Sequence, residues 1–175
     1  MLEVIVIAFW SMLPAYVPNN AAVLFGGGRP IDGGRIYNGR RLLGDGKTWR
    51  GTAAGTLAGI AVALVLNVLA TPLPGYLPTF PVTAVFTLPA GAMVGDIAAS
   101  LIKRRTGRDR GAAMPGLDQL DFVVGSLSLT AIIAPAWFSD TFTIPVLLVI
   151  VVFTPLFHLG LNVIAYRFGW KDEPY

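Results

Sequence analysis

The 175 residues include no cysteine, which removes disulfide frameworks, zinc–thiolate sites, iron–sulfur clusters and cysteine nucleophiles. A single histidine removes a His-rich metal site and leaves little scope for a Ser–His–Asp device. Charge is scarce too. Asp, Glu, Lys and Arg make up 13% of the chain, against about 25% in a typical soluble domain. Disorder requires high charge and low hydrophobicity. This chain has the reverse, with 54% hydrophobic residues and a mean hydropathy of +0.66. What remains is an integral membrane protein of one domain.

A spanning helix takes roughly 20 mostly apolar residues. Five stretches qualify: about 2–24, 52–70, 80–102, 120–138 and 142–165. The expected fold is all-α, with five transmembrane helices. Pro14, Pro18 and Asn19–Asn20 weaken the first span. The start of the chain lacks a basic n-region, Glu3 being its one charge, so it does not read as a cleavable signal peptide. Of the 13 Lys and Arg, Arg29, Arg35, Arg40, Arg41, Lys47 and Arg50 fall between spans one and two. Lys103, Arg104, Arg105, Arg108 and Arg110 fall between spans three and four, and Arg167 and Lys171 follow span five. The opposite side carries only Glu3 and Asp140. The positive-inside rule then predicts an outer N-terminus, with loops 26–51 and 103–117 and the C-terminus in the cytoplasm. Five spans have the parity this requires. The basic residues sit hard against spans, so nucleic-acid binding is a poor reading. Pro72, Pro74 and Pro78 stiffen the outer link between spans two and three.

The 26–51 loop holds nine glycines among its 26 residues, in the strings GGGRP, IDGGR and GDGKTWRG. Such glycine density suits backbone brought close to a ligand, and interspersed Arg and Lys suit an anionic one. The bland alternative is a basic loop lying on the membrane. Asp96 stands in an otherwise apolar span, about 10 Å deeper than Lys103 at 1.5 Å per residue. An intramembrane carboxylate is costly and is usually kept for a partner or a function. Asp96, Ser100 and Lys103 share one helix face, so a simple Asp96–Lys103 pair is the plainer reading. In Pro115–Gly116–Leu117–Asp118–Gln119–Leu120–Asp121, proline and glycine break the chain before a helix. Asp118 and Asp121, three apart, project from one face of its first turns. They could merely complement the helix dipole. Facing Asp96, they make three hard oxygen donors with no His or Cys, a set that selects Mg²⁺. Lys47, Lys103 and Arg104 nearby complete a constellation for phosphates. Gly46–Lys47–Thr48 is not a P-loop, because Arg41 stands where that motif requires glycine.

Two blocks carry a resemblance. Gly46–Lys47–Thr48–Trp49–Arg50–Gly51 is followed by Gly95–Asp96, Ser100, Lys103–Arg104, Gly107–Arg108–Asp109, Pro115–Gly116, Leu117–Asp118–Gln119 and Asp121. The order and spacing resemble the phosphatidate cytidylyltransferase superfamily, whose signature runs GKTWEG and then GD, S, KR, G, KD, PGHGG, LDR, D. Gln119 stands where that series has Arg, and the HGG insert is missing. These departures, with FGGGRPIDGGR, resemble its small archaeal branch, the CDP-archaeol synthases. The resemblance implies a nucleotidyltransferase embedded in the cell membrane with its active site facing the cytoplasm. It would transfer a cytidylyl group from CTP to a prenylated glycerol phosphate, 2,3-di-O-geranylgeranylglycerol 1-phosphate, and release pyrophosphate. By that resemblance Mg²⁺ sits on Asp96, Asp118 and Asp121, with Lys103 also catalytic. Asn20, Gly27, Gly28, Arg29, Lys47, Thr48, Ser100 and Arg104 bind substrate. A homodimer is a further implication.

Gly51, Gly55 and Gly59 permit close helix packing, read as internal in preference to a dimer seam. His158, beside Pro155, is a functional candidate as an intramembrane histidine; a hydrogen-bonded structural residue on a kinked helix reads at least as well, and it stays outside the expected site. Trp10, Trp49, Trp137 and Trp170 fall near expected interfaces. The rival classes are a small transporter and a lipid-binding membrane protein with a one-sided anion site. The uniformly apolar outer halves of the spans speak against a through-path.

Overall fold

The computed structural model describes residues 1–72, 75–108, 114 and 116–167, the side chains at 161, 162, 164 and 165 excepted. Pro74, Asp109, Arg110, Pro115, Trp170 and Lys171 lie outside the described residues. The order is α1 (Leu2–Phe25), β1 (Ile36–Tyr37), β2 (Arg40–Arg41), α2 (Trp49–Ala70), α3 (Val82–Arg105), α4 (Leu117–Ile133), α5 (Pro135–Thr141) and α6 (Ile144–Arg167). Among the described residues, α1, α2 and α3 are long and apolar enough to cross a membrane. The bent pair α5–α6 makes a fourth candidate. Leu57, Val65, Val68, Val124, Ile132, Leu148 and Val152 point outward from the bundle, as side chains facing lipid do.

The expected fourth and fifth spans differ in detail. The helix expected over 120–138 starts earlier, at Leu117, and stops at Ile133. Pro135 offers no N–H and drives the residue before it out of helical geometry. Ala134 accordingly takes φ −128°, ψ 55°. Residues 139–141, the link left between the expected fourth and fifth spans, lie inside α5, which is followed by a 77° bend into α6. Pro14 and Pro18, expected to weaken span one, instead sit buried within a continuous α1.

Those prolines have a packing role. Pro18 has no N–H to give the Pro14 carbonyl, and Gly59 of α2 packs on that oxygen. Gly55 packs on the Pro18 carbonyl and Gly51 on that of Ala22. The glycine stripe is therefore an internal α1–α2 seam. A second seam joins α3 to α4. A Cβ at Gly95 would fall on the Asp121 carbonyl oxygen, and one at Gly125 on the Gly91 carbonyl oxygen. Beside it, Ser126 Oγ donates to the Leu88 carbonyl at 2.8 Å, and the Thr87 and Thr130 hydroxyls pair at 2.9 Å. At the far end, Trp10 Nε1 donates to the Pro78 carbonyl at 2.9 Å and Trp137 Nε1 to that of Thr79 at 2.8 Å. Asn67, polar within α2, is satisfied by Phe80, donating to its carbonyl at 2.9 Å and accepting from its N–H at 2.7 Å.

Gly95→Ala is expected to force α3 and α4 apart and cost about 1–3 kcal/mol, read as a lower melting midpoint of the detergent-solubilised protein. Gly160→Ala meets no atom within 4 Å and should leave the midpoint unchanged or slightly raised. Equal effects would contradict the α3–α4 seam.

Candidate functional site

The 26–48 loop is folded around one buried carboxylate. Asp32, 1% exposed at its side chain, accepts from the N–H groups of Gly34, Leu43 and Gly44 at 3.0, 3.0 and 3.2 Å. It also accepts from Arg41 Nε and Nη2 at 3.3 and 2.8 Å. The Arg41 bonds hold the Asp32 carboxyl well below the usual carboxylate range, helped by the three backbone donors against its burial. Asn38 and Gly39, both at positive φ, turn β1 into β2. The Ile31 N–H donates to the Lys47 carbonyl at 2.8 Å, and the Trp49 N–H to that of Arg29. Thr48 then caps α2, its hydroxyl accepting from the Gly51 N–H at 3.0 Å. Lys47 is thus fixed between a closed loop and a helix start. The loop also docks on the end of α3. Arg40 donates to the Gly107 carbonyl, and the Arg105 guanidinium lies 4.8 Å from the centre of the Tyr37 ring.

Lys47 Nζ meets Asp96 Oδ2 at 2.5 Å, and Lys103 pairs with Asp118. The plain intrahelical Asp96–Lys103 pair is therefore not what forms; each lysine reaches a carboxylate on another element. Asp96, Asp118 and Asp121 all line one cavity of about 220 Å³. Lys47, Thr48, Asn19 and His158 line it too. That volume is below the roughly 300–1,000 Å³ of pockets that enclose a drug-sized ligand. It suits the phosphate end of a larger molecule. Asp118 Oδ2 also accepts from the Met114 N–H at 2.8 Å, and Asp121 Oδ1 from the Phe122 N–H at 2.6 Å. Gln119 Oε1 accepts from the Gly116 N–H at 2.5 Å and so caps α4.

Of the residues expected from sequence, Asp96, Asp118, Asp121, Lys47 and Thr48 are brought together here, and Lys103 reaches in through Asp118. Others are placed elsewhere. Asn20 is exposed and donates at 3.5 Å to the Tyr16 carbonyl; its neighbour Asn19 faces the cavity, because one residue is about 100° of helix turn. Asn19 Oδ1 is buried and has no hydrogen-bond partner among the described residues. Gly27 and Gly28, both at positive φ, and the exposed Arg29 are not among the cavity's lining residues, nor is Ser100. Arg104 lines a neighbouring cavity. The sequence reading misses Asp32 and leaves His158 outside the site. Asp32 looks like a turn residue in a glycine-rich string, and the position of His158 within a span does not say which way it faces.

The expected Mg²⁺ site needs three groups to converge. Among the described residues, no three His, Cys, Asp or Glu side chains stand close enough to hold an ion as they are placed. The donors still fit by kind. All three are carboxylates lining one cavity, and two are held by lysine ammoniums where a cation would compete. The paired side chains are 19–24% exposed. Water screening makes their separation far less costly than that of a sealed pair.

A family model described as CarS-like CDP-archaeol synthase matches residues 1–175. A CDP-archaeol synthase of Halobacterium salinarum is 65% identical over 98% of this chain and 97% of its own. One from Methanosarcina mazei is 45% identical over 94% of this chain and 100% of its own. A solved structure, described as giving structural insight into an intramembrane enzyme for archaeal membrane lipids biosynthesis, is 36% identical. It superposes with a TM-score of 0.72 over 89% of this chain and 92% of that one.

Asp32 titrates below its unfolded value, so its stabilisation is complete above the ordinary carboxylate range and is lost only as pH falls through the lower folded value. Hydrogen exchange, corrected for intrinsic rate, should show loop 26–48 equally protected at pH 7 and at about pH 5. Asp32→Asn should expose it at pH 7; unchanged protection would contradict the loop's dependence on this carboxylate.

Proposed function

The chain belongs to the CDP-archaeol synthase family, and from that premise we propose that the three-carboxylate cavity is where CTP meets its lipid partner. The enzyme is a nucleotidyltransferase: it moves a cytidylyl group from CTP onto a prenylated glycerol phosphate in archaeal lipid biosynthesis. The finer substrate is 2,3-di-O-geranylgeranylglycerol 1-phosphate. One oxygen of its phosphate forms a bond to the α-phosphorus of CTP. The bond from that phosphorus to the bridging oxygen breaks, and pyrophosphate leaves with the electron pair. The attacking phosphate is already anionic near neutral pH, so no side chain needs to remove a proton. Lys47 and Lys103, paired with carboxylates beforehand, turn to the phosphates and neutralise charge on the leaving group. Asp96, Asp118 and Asp121 are the residues that would hold Mg²⁺, which when bound supplies positive charge to the phosphate oxygens. The Thr48 hydroxyl and the glycine-rich backbone around it bound the phosphate end. The Asn19 acceptor, without a partner among the described residues, would take a donor of the nucleoside. Arg104 lines the adjoining cavity.

The chain is a multi-pass membrane protein. Our reading adds α4 and the bent α5–α6 pair as spans four and five, with the cavity and both basic loops on the cytoplasmic side. The basic residues at that end support it. The chain has no cysteine of its own, so single cysteines from Thr106→Cys and Ser139→Cys can be labelled cleanly; labelling of both from one side would contradict the orientation.

The juxtaposition of Lys47 with Asp96 beside Asp118 and Asp121 carries the reading. Pyrophosphate release from CTP, Mg²⁺ and the lipid phosphate should fall by about 100-fold or more in Asp96→Asn and Asp118→Asn. Asn19→Ala should raise KM for CTP while kcat holds, and Asn20→Ala should change neither. Near wild-type turnover in Asp118→Asn would refute the site.

A further inference from the structure

The two basic loops line a second cavity, about 290 Å³, beside the carboxylate cavity. Four guanidiniums line it: Arg40 and Arg41 from β2, and Arg104 and Arg108 from the end of α3 and just beyond. Asp45 is the carboxylate among its lining residues, and it is held by Arg41. The cations are arginines without a lysine, and the planar guanidinium fork matches phosphate oxygens two at a time. Three of them are anchored before any ligand arrives. Arg41 is tied to Asp32 and Asp45, Arg40 to the Gly107 carbonyl, and Arg104 Nη1 to the Arg108 carbonyl at 2.5 Å. Anchoring lowers the ordering cost of binding. We infer that this cavity is a separate binding site for a phosphate-class anion, either free pyrophosphate or the phosphate of a lipid headgroup.

The two cavities share a wall. Gly44 and Asp45 border this one, while Gly46, Lys47 and Thr48 border the carboxylate cavity. Arg104 follows directly on Lys103, which holds Asp118. An anion among the arginines therefore lies against the segment that carries Lys47. The reaction itself releases one anion of the right chemistry.

The site stands or falls apart from the metal reading, and its test is binding. The full chain in dodecyl maltoside, a detergent without phosphate, is titrated with inorganic pyrophosphate by calorimetry. Two classes of site are expected. Arg108→Gln should weaken one about tenfold, the scale of one charge-assisted hydrogen bond. Arg108→Lys, which keeps the charge, should weaken it less, and melting of each variant checks its fold. Added anionic phospholipid then separates the sources. Loss of the Arg108-dependent class identifies a headgroup as the occupant, and its persistence identifies free pyrophosphate; both support the site. Pyrophosphate binding that Arg108→Gln leaves unchanged, in however many classes, or no binding at all, would overturn it.

Discussion

The contact on which the rest of the structure depends is glycine backbone against backbone between α3 and α4. Gly91, Gly95 and Gly125 bring the two helices so close that Cβ atoms there would strike the facing carbonyl oxygens. Asp96 follows Gly95, and Asp121 stands one turn before Gly125. Helix approach therefore sets the acids of the two helices along one cavity. Carboxylates gathered at a membrane surface repel one another, and the structure answers with cations drawn from outside each acid's own helix. Lys103 crosses from α3 to α4, and Lys47 comes from the loop.

Everything that builds the loop serves that second lysine. Asp32 closes the chain on itself through Arg41 and three backbone donors, the Ile31–Lys47 bond brings the ends of the loop together, and Thr48 starts α2. On the other flank, Pro14 and Pro18 give α1 the carbonyls on which Gly59 and Gly55 seat α2. Two glycine seams thus fix four helices, and the polar groups concentrate where the helices meet the basic loops. The lysine–carboxylate pairs remain partly wet. A triphosphate can therefore exchange places with the acids without stranding a charge in a sealed interior.

Much of this was legible in the chain itself. The apolar character of the chain showed in its hydropathy, and the deep Asp96, the paired Asp118 and Asp121, and Lys47 in its glycine-rich string each carry a local signal in spacing or polarity; these four residues meet in one cavity. Pro135 was visible as a residue, but its break lies inside an apolar run, where hydropathy does not register it. The choice of Asn19 over Asn20 depends on helix rotation, which a pair of identical residues conceals. Asp32 and His158 gain their places only through tertiary folding. Arg104 belongs by sequence to the phosphate group of cations, and docking of the two loops turns it into the adjoining cavity.

A structure of the protein with Mn²⁺ and CTP, located by anomalous scattering, tests the central claim most directly. The account expects Mn²⁺ density bounded by the carboxylates of Asp96, Asp118 and Asp121, with Lys47 and Lys103 moved onto phosphate oxygens. Density away from these three acids, with both lysines still paired to Asp96 and Asp118 beside bound nucleotide, would contradict it.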